Sequence, residues 1–285
     1  MHSRSPRSFV LRCFWFLLAP LITFAAHPAP QDMPNPVSMT TWNGFSQLQF
    51  SVAGRPCRLV LPEQAAPGRP WIWRTEFFGH APQADLALLA RGWHVAFIQA
   101  SDLYGAPPAM AIFDTFYQHL VATHGLARRA VMEGLSRGGL YAFNFAVAYP
   151  DRVAALYLDA PVLNLQSWPG RSKATPEGAK LWRQCMDAYG LDDAGLTAFK
   201  GSPIDRVEPV AKAGIPILSV CGDADVNVPL PENTAILAER YRALGGHIEV
   251  IIKPGGKHHP HSLEDPTPIV DFLLKHAQGL SPDAR

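Results

Sequence analysis

A serine lies between two glycines in the segment GLSRGG, at Gly134, Ser136 and Gly138. The segment follows a short apolar run and precedes an apolar stretch of helix length, which predicts a strand, a sharp turn and a helix in that order. Glycine at both flanking positions removes the Cβ atoms that would collide in such a turn. The serine hydroxyl is then raised above the start of the helix, which favours a nucleophile over a serine that occurs in a tight turn by chance.

A serine hydroxyl is a poor nucleophile unless a histidine accepts its proton and a carboxylate holds that histidine in the right tautomer. Two candidate acids, Asp223 and Asp225, follow the apolar run ILSVCG. Histidines follow the run IEVII in the segment KHHPH, residues 257–261. A serine on a strand–turn–helix motif of this kind is followed along the chain first by the acid and then by the histidine, and these candidates have that order. Asp159, after the run AALYL, is a weaker candidate for the acid.

Three segments together resemble the α/β-hydrolase superfamily. They are GLSRGG, CGDADVNVP with PENTAILAERY, and KPGGKHHPHSLEDPTPIVDFL. The resemblance extends over about residues 45–276 and is in particular to secreted bacterial esterase-like members related to the prolyl-oligopeptidase and acetyl-xylan-esterase branches. It implies an α/β fold, with a mostly parallel central sheet, helices on both faces and a small inserted cap. It also implies a serine hydrolase that needs no cofactor.

The resemblance also selects among the candidate site residues. The acid of such proteins is the aspartate that ends a Gly-Asp-x-Asp segment, which here is Asp225, and Asp223 is then expected to brace its own turn. The base usually follows a glycine directly, but Lys257 intervenes in this chain. We predict His258 as the base because it stands where the glycine turn ends. The alternatives for the base are His259 and His261.

The transition state of acyl transfer needs two hydrogen-bond donors for the developing oxyanion. One is predicted to be the backbone N–H of Arg137, next after the nucleophile. The second is expected from the loop RTEFFGH after the first central strand, where the usual His-Gly pair is absent. By position, this donor is the backbone of Phe77 or of Phe78, and we take Phe77.

Three side chains are candidates for substrate binding: Glu76, Tyr104 and Trp168. For Glu76 an ion pair with Arg74 is an equally favoured alternative, since both stand at a strand end. For Trp168 the alternative is packing of the cap. The histidines at 258, 259 and 261 have no spaced acidic ligands beside them, so no metal site is predicted.

The elements that must hold these residues follow from periodicity. Runs at 45–52 and 57–61 flank Gly54, which predicts an antiparallel hairpin at a sheet edge. Later runs alternate with helix-length segments, which predicts a mostly parallel sheet covered on both faces. The runs lie at 71–75, 94–99, 130–133, 154–158, 215–220 and 248–252, and the helical segments at 84–90, 111–124, 137–148, 231–244 and 267–277. Residues 163–208 contain no strand signal and are predicted to be the cap.

The 285 residues carry a formal net charge of +1, which gives no argument for nucleic acid or an anionic membrane surface as a partner. Basic residues precede the apolar run 14–24, which is followed by alanines and predicts a signal peptide over residues 1–26. That run is shorter than the roughly 20 residues of a membrane anchor, the alternative. A proline-rich tether at 27–36 would precede a hydrolase domain at 37–280.

The sequence thus predicts an exported protein, periplasmic or secreted, without stable membrane association after cleavage. Outside the signal it has three cysteines, of which Cys57 and Cys185 are candidates for a disulfide. The favoured function is hydrolysis of a carboxylic ester, on a small molecule or an acylated glycan, through an acyl-enzyme. The alternatives are a serine peptidase of prolyl-oligopeptidase type and a binding protein that has lost catalysis. Such peptidases usually carry a large extra domain, for which the chain is expected to have no room.

Overall fold

A computed structural model of the chain describes residues 37–277. The predicted signal peptide (1–26), the predicted tether (27–36) and the last three residues of the predicted domain (278–280) lie outside this range. Among the described residues, no helix is both long enough and apolar enough to cross a bilayer.

Within the described range nine strands form one sheet: β1 (Ser38–Trp42), β2 (Phe45–Val52), β3 (Arg55–Val60), β4 (Trp71–Arg74), β5 (His94–Ile98), β6 (Ala130–Leu135), β7 (Val153–Asp159), β8 (Ile217–Gly222) and β9 (Ile248–Lys253). Their order in space is β1-β2-β3-β5-β4-β6-β7-β8-β9. The first three strands pair antiparallel, and β3 pairs antiparallel with β5. The strands from β5 to β9 are parallel to one another.

Successive residues of the central strands belong to two apolar layers, one on each face of the sheet. On β4, Trp71 and Trp73 belong to the first layer and Ile72 to the second. On β6, Met132 belongs to the first layer and Val131 to the second. Because both faces are buried, these strands read in sequence as continuous apolar runs.

Helices cover both layers. The helices are α1 (Gln83–Leu89), α2 (Pro107–His124), α3 (Gly138–Ala148), α4 (Pro176–Tyr189), α5 (Asp193–Ala198), α6 (Glu208–Lys212), α7 (Thr234–Ala243) and α8 (Thr267–His276). The buried residues of α2, α3 and α7 join the first layer, and those of α1 and α8 join the second. This two-sided arrangement confirms the predicted fold class.

The predicted apolar runs correspond to β2 through β9, with ends that differ by at most two residues. The sequence does not predict β1, which forms the outer edge of the sheet beside β2. Four of its five residues are exposed, so no buried face produces an apolar alternation. The helix α2 also begins four residues earlier than predicted, with proline at its start, a position where the missing N–H costs nothing.

Residues 163–208, the segment predicted to be a cap, contain α4 and α5 and no strand, and α6 begins at their end. Trp182 and Cys185 of α4 are buried against the first layer. The segment is attached to the loop after β5, since the Tyr104 hydroxyl donates to Gln184 Oε1 (2.8 Å) and the Tyr189 hydroxyl donates to the Tyr104 carbonyl (3.1 Å).

The three cysteines of the described chain, Cys57, Cys185 and Cys221, are all buried and free. The candidate disulfide between Cys57 and Cys185 is therefore not formed. Burial raises the pKa of both thiols to about 12, which keeps them protonated and unreactive at neutral pH.

Candidate active site

Ser136 follows β6 directly, in a turn with left-handed backbone geometry. Its φ is +48°, and its N–H donates to the carbonyl oxygen of Asp159 on the neighbouring strand β7 (2.8 Å). A Cβ on Gly134 would lie 2.8 Å from the carbonyl oxygen of Gly138, so only glycine lets the strand and the helix approach this closely. A positive φ at a non-glycine residue stores strain, which is typical of functional sites.

The structure brings Ser136, His258 and Asp225 together from three separate loops. Ser136 Oγ lies 2.9 Å from His258 Nε2, and His258 Nδ1 lies 2.7 Å from Asp225 Oδ2. An ionised carboxylate only accepts hydrogen bonds, so Nδ1 carries the proton and donates a hydrogen bond to Asp225. Nε2 is then the lone-pair nitrogen that accepts from the serine hydroxyl, which is the arrangement that a general base requires.

Asp225 is held by the loop that follows β8. Its Oδ1 accepts the backbone N–H groups of Asn227 (2.8 Å) and Val228 (2.9 Å), which leaves Oδ2 for His258. Burial disfavours the charge on Asp225, but the hydrogen bonds from His258 and from the Val228 backbone outweigh it and lower the pKa of the carboxyl. Asp225 is therefore ionised at neutral pH.

The loops after β8 and β9 meet because glycine stands where they touch. A Cβ on Gly222 would lie 2.0 Å from the carbonyl oxygen of Gly256, a distance that no side chain tolerates. That same carbonyl accepts the N–H of Ala224 (2.9 Å). Asp223 Oδ1 accepts the N–H of Gly255 (2.7 Å), so Asp223 braces the turn and makes no contact with a histidine. This close approach brings Asp225 and His258 within hydrogen-bonding reach.

The weaker candidate for the acid, Asp159, belongs to a second aspartate–histidine pair. Its Oδ1 accepts from His261 Nδ1 (2.6 Å), and its Oδ2 accepts the N–H of Ser262 (2.8 Å) and the hydroxyl of Tyr157 (3.1 Å). Both members of the pair are buried. Asp159 is thus committed to His261 and does not contact His258.

The loop after β4, which is expected to supply the second oxyanion donor, is hydrogen-bonded to the residues on either side of Ser136. Thr75 Oγ1 lies 2.9 Å from the carbonyl oxygens of both Glu133 and Gly138. The next residues of this loop include Phe77, whose φ is +51° and whose side chain lines the same cleft as Ser136. Arg137 stands at the start of α3, where a backbone N–H has no acceptor within the helix.

Glu76, a predicted substrate-binding residue, is not among the residues that line the cleft. Its carboxylate is buried and pairs with the guanidinium of Arg137 (2.9 Å between Oε2 and Nη2). The alternative pair of Glu76 with Arg74 is also not formed, since Arg74 is fully buried between Asp85 and Glu133. Burial disfavours the charge on Arg137, but Glu76 outweighs it and raises the pKa of the guanidinium.

Tyr104, a second candidate for substrate binding, is buried. Only 1% of its surface is exposed, because Trp168 stacks on its ring at a centroid distance of 5.9 Å. The guanidinium carbon of Arg137 lies 5.3 Å from the centre of the same ring. Tyr104 therefore packs against Trp168 and Arg137 and is not among the residues that line the cleft.

The cleft above Ser136 has a volume of about 450 Å³. Trp168, a candidate for substrate binding, lines the cleft and is half-buried. Two further lining residues, Arg171 and Val226, are not among the residues that the sequence predicts for the site. Val226 is 79% exposed although apolar, and its place next to Asp225 in the acid loop was the one feature that pointed to the site.

The sequence profile of the prolyl oligopeptidase family matches residues 112–279, more than half of the chain. This match covers Ser136, Asp225 and His258. No curated protein sequence matches the chain.

Solved structures share the fold at low sequence identity. The acylaminoacyl peptidase of Pyrococcus horikoshii is 13% identical with a TM-score of 0.60, over 86% of this chain and 42% of that one. Dipeptidyl peptidase 4 of Porphyromonas gingivalis is 17% identical with a TM-score of 0.58, over 86% and 36%. A cold-adapted esterase from an Arctic intertidal metagenomic library is 15% identical with a TM-score of 0.54, over 86% and 99%. The chain thus spans about two fifths of the two peptidases.

Proposed function

Because the chain belongs to the prolyl oligopeptidase family, and is a serine hydrolase with the α/β-hydrolase fold, we propose that it cleaves carboxylic esters through a triad of Ser136, His258 and Asp225. The observation that carries this proposal is the continuous chain of hydrogen bonds from Ser136 Oγ through His258 to Asp225, at 2.9 and 2.7 Å. Ser136, at one end of this chain, lines a cleft large enough for a small ester.

In the first half of the reaction, Ser136 Oγ attacks the acyl carbon while His258 Nε2 takes the hydroxyl proton. The resulting tetrahedral oxyanion is stabilised by the N–H groups of Arg137 and Phe77. When the oxyanion collapses, the ester C–O bond breaks and His258 gives its proton to the departing alcohol. The acyl group is then bonded to Ser136 as an ester.

In the second half, His258 takes a proton from a water molecule, which attacks the acyl-enzyme. Collapse of this second tetrahedral intermediate releases a carboxylic acid and returns the proton to Ser136. Asp225 keeps its charge throughout and stabilises the positive imidazolium that forms in each half. Its lowered pKa supports this role at neutral pH.

The cleft lining supports a carbohydrate as the group that carries the ester, and one of the similar structures supports an ester as the bond that is cleaved. The half-buried ring of Trp168 and the exposed ring of Phe77 both line the cleft, and aromatic faces offer flat apolar contact area beside polar groups. The esterase among the similar structures is matched over 99% of its length.

A peptide substrate is the second candidate, because both peptidases named above share the fold and the family profile is that of a peptidase family. The same triad would serve, with His258 protonating an amine in place of an alcohol. The two peptidases are longer proteins, and this chain aligns with about two fifths of the length of each.

The test is to treat the purified protein with a fluorophosphonate probe and then with acyl esters and peptide anilides. We expect labelling at Ser136 and turnover of esters but not of anilides, and Ser136→Ala should abolish both labelling and turnover because it removes only the attacking oxygen. Cleavage of the anilides would favour the peptidase. Absence of labelling in the folded protein would favour a binding protein without catalysis.

We also propose that the protein is exported, on the strength of the basic and apolar segments within residues 1–26. N-terminal sequencing of the mature protein from its host should read a start between about Ala26 and Ala29. Recovery of the intact Met1 terminus on soluble cytoplasmic protein would contradict this.

A further inference from the structure

Three histidines from two loops meet beside the predicted base. His80 comes from the loop between β4 and α1, and His259 and His261 come from the loop between β9 and α8. One ring nitrogen of each lies within 4.8 Å of the other two. The ring centroids are 4.8 to 5.7 Å apart, and the ring planes are nearly perpendicular to one another.

This spacing matches what a tetrahedral zinc ion requires. Imidazoles that each bind zinc at about 2.0–2.1 Å place their ring centroids about 5 Å apart and their nitrogens about 3.3 Å apart. Closing the nitrogens around an ion therefore requires shifts of about 1.5 Å or less. His80 and His259 are exposed and free to make such shifts, and both line an open cavity of about 640 Å³ through which an ion can enter.

His261 is already oriented as a ligand. Its Nδ1 donates to the buried carboxylate of Asp159 (2.6 Å), so its Nε2 is the nitrogen left for an ion. A carboxylate that fixes the ring of a histidine ligand is the usual outer partner of zinc-binding histidines. The pair of Asp159 and His261 has no role in the proposed hydrolysis, and binding of an ion would give it one.

His258 is excluded from this ligand set although it lies next to it. Both of its ring nitrogens are committed, Nε2 to Ser136 and Nδ1 to Asp225. The sequence prediction of no metal site considered only the histidines of one loop. The third ligand, His80, is 179 positions away from His259 and becomes visible only in the fold.

We infer that His80, His259 and His261 bind one divalent transition-metal ion of the zinc class, with the fourth position open to water. Three imidazoles without a carboxylate ligand suit zinc and exclude calcium and magnesium, which prefer oxygen.

The bound ion would tie together the two loops on which the proposed chemistry depends. The backbone N–H of His80 donates to the carbonyl oxygen of Phe77 (3.0 Å), and Arg74 Nη2 donates to the carbonyl of His80 (2.6 Å). His259 follows His258 directly, with ring centroids 4.9 Å apart. The ion therefore acts as a clamp that positions the predicted oxyanion loop relative to the base loop.

The test uses the full chain without a histidine tag, stripped of metal with a chelator and titrated with Zn²⁺ by calorimetry and with Co²⁺ by visible absorption. We expect one tight site, an intense tetrahedral Co²⁺ spectrum, and a rise in the thermal midpoint when Zn²⁺ is added. His80→Asn and His259→Asn should each weaken binding by about 100-fold or more, since even outer-shell changes cost 10–100-fold.

The chain offers a matched control. Among the described residues a second group of possible ligands consists of His247, Glu249 and His276, so His247→Asn should leave the tight site intact. The metal-free thermal midpoints of the three variants should equal that of the wild type, which separates a lost ligand from a lost fold. The inference is overturned if the wild type binds neither ion, if its Co²⁺ spectrum is octahedral, or if His247→Asn alone removes the tight site.

Discussion

Asp225→Asn tests the assignment of the acid without changing the shape of the site. The asparagine Oδ1 can still accept the N–H groups of Asn227 and Val228, as the aspartate does now. Its amide nitrogen would then face His258 Nδ1 at the position where Oδ2 lies 2.7 Å away. Since an amide nitrogen only donates, Nδ1 must become the acceptor and the ring proton must move to Nε2.

That tautomer has no lone pair directed at Ser136 Oγ, so His258 can no longer take the serine proton. The same substitution in a serine-protease triad lowers kcat by about 10⁴, which corresponds to about 5.5 kcal/mol of transition-state stabilisation. We expect a loss of this size here, with little change in KM, because the cleft lining is untouched.

The assay is the steady-state kinetics of ester hydrolysis, with the concentration of folded enzyme fixed from its circular dichroism and thermal midpoint. Asp223→Asn is the matched control. It removes the same charge two positions earlier while keeping an acceptor for the N–H of Gly255, and it should cost tenfold or less in kcat. If Asp223→Asn or Asp159→Asn lowers kcat more than Asp225→Asn does, the acid has been assigned wrongly.

Three further outcomes follow from the same contacts. His258→Ala should lower kcat as far as loss of the nucleophile does, and residual ester turnover above a few per cent, free of contaminants, would move the base to a neighbouring histidine. Arg74→Met should destabilise the fold by about 3–5 kcal/mol in urea denaturation, because it leaves the buried carboxylate of Asp85 uncompensated; an unchanged midpoint would contradict this. The pKa of Asp225 is lower in the folded state than in the unfolded chain. Its charge therefore stabilises the fold fully at pH values above the unfolded pKa of about 3.9. This contribution is lost as the pH falls through the folded pKa. The difference in thermal midpoint between wild type and Asp225→Asn should therefore be present at pH 7 and shrink below about pH 4.

The sequence by itself determined the elements and the nucleophile turn, because both depend on neighbouring residues. The strands β4 to β8 are buried along their whole length and must be apolar throughout, so they were visible as runs. The edge hairpin of β2 and β3 was visible from the two short runs that flank Gly54. The turn at Ser136 needs glycine at two nearby positions, and that requirement is also local. The edge strand β1 was not predicted, because it is exposed and has no buried face that would require apolar residues at alternate positions.

Only the tertiary structure decided which side chains meet. Asp159 ends β7 and Asp225 follows β8. The close approach of Gly222 to Gly256 brings Asp225 to His258, whereas Asp159 binds His261. Whether Tyr104 faces the cleft depends on the Trp168 ring stacked above it, and the partner of His259 in the histidine cluster lies on a loop 179 positions earlier. Such contacts are set by the packing of distant segments, which no local pattern records.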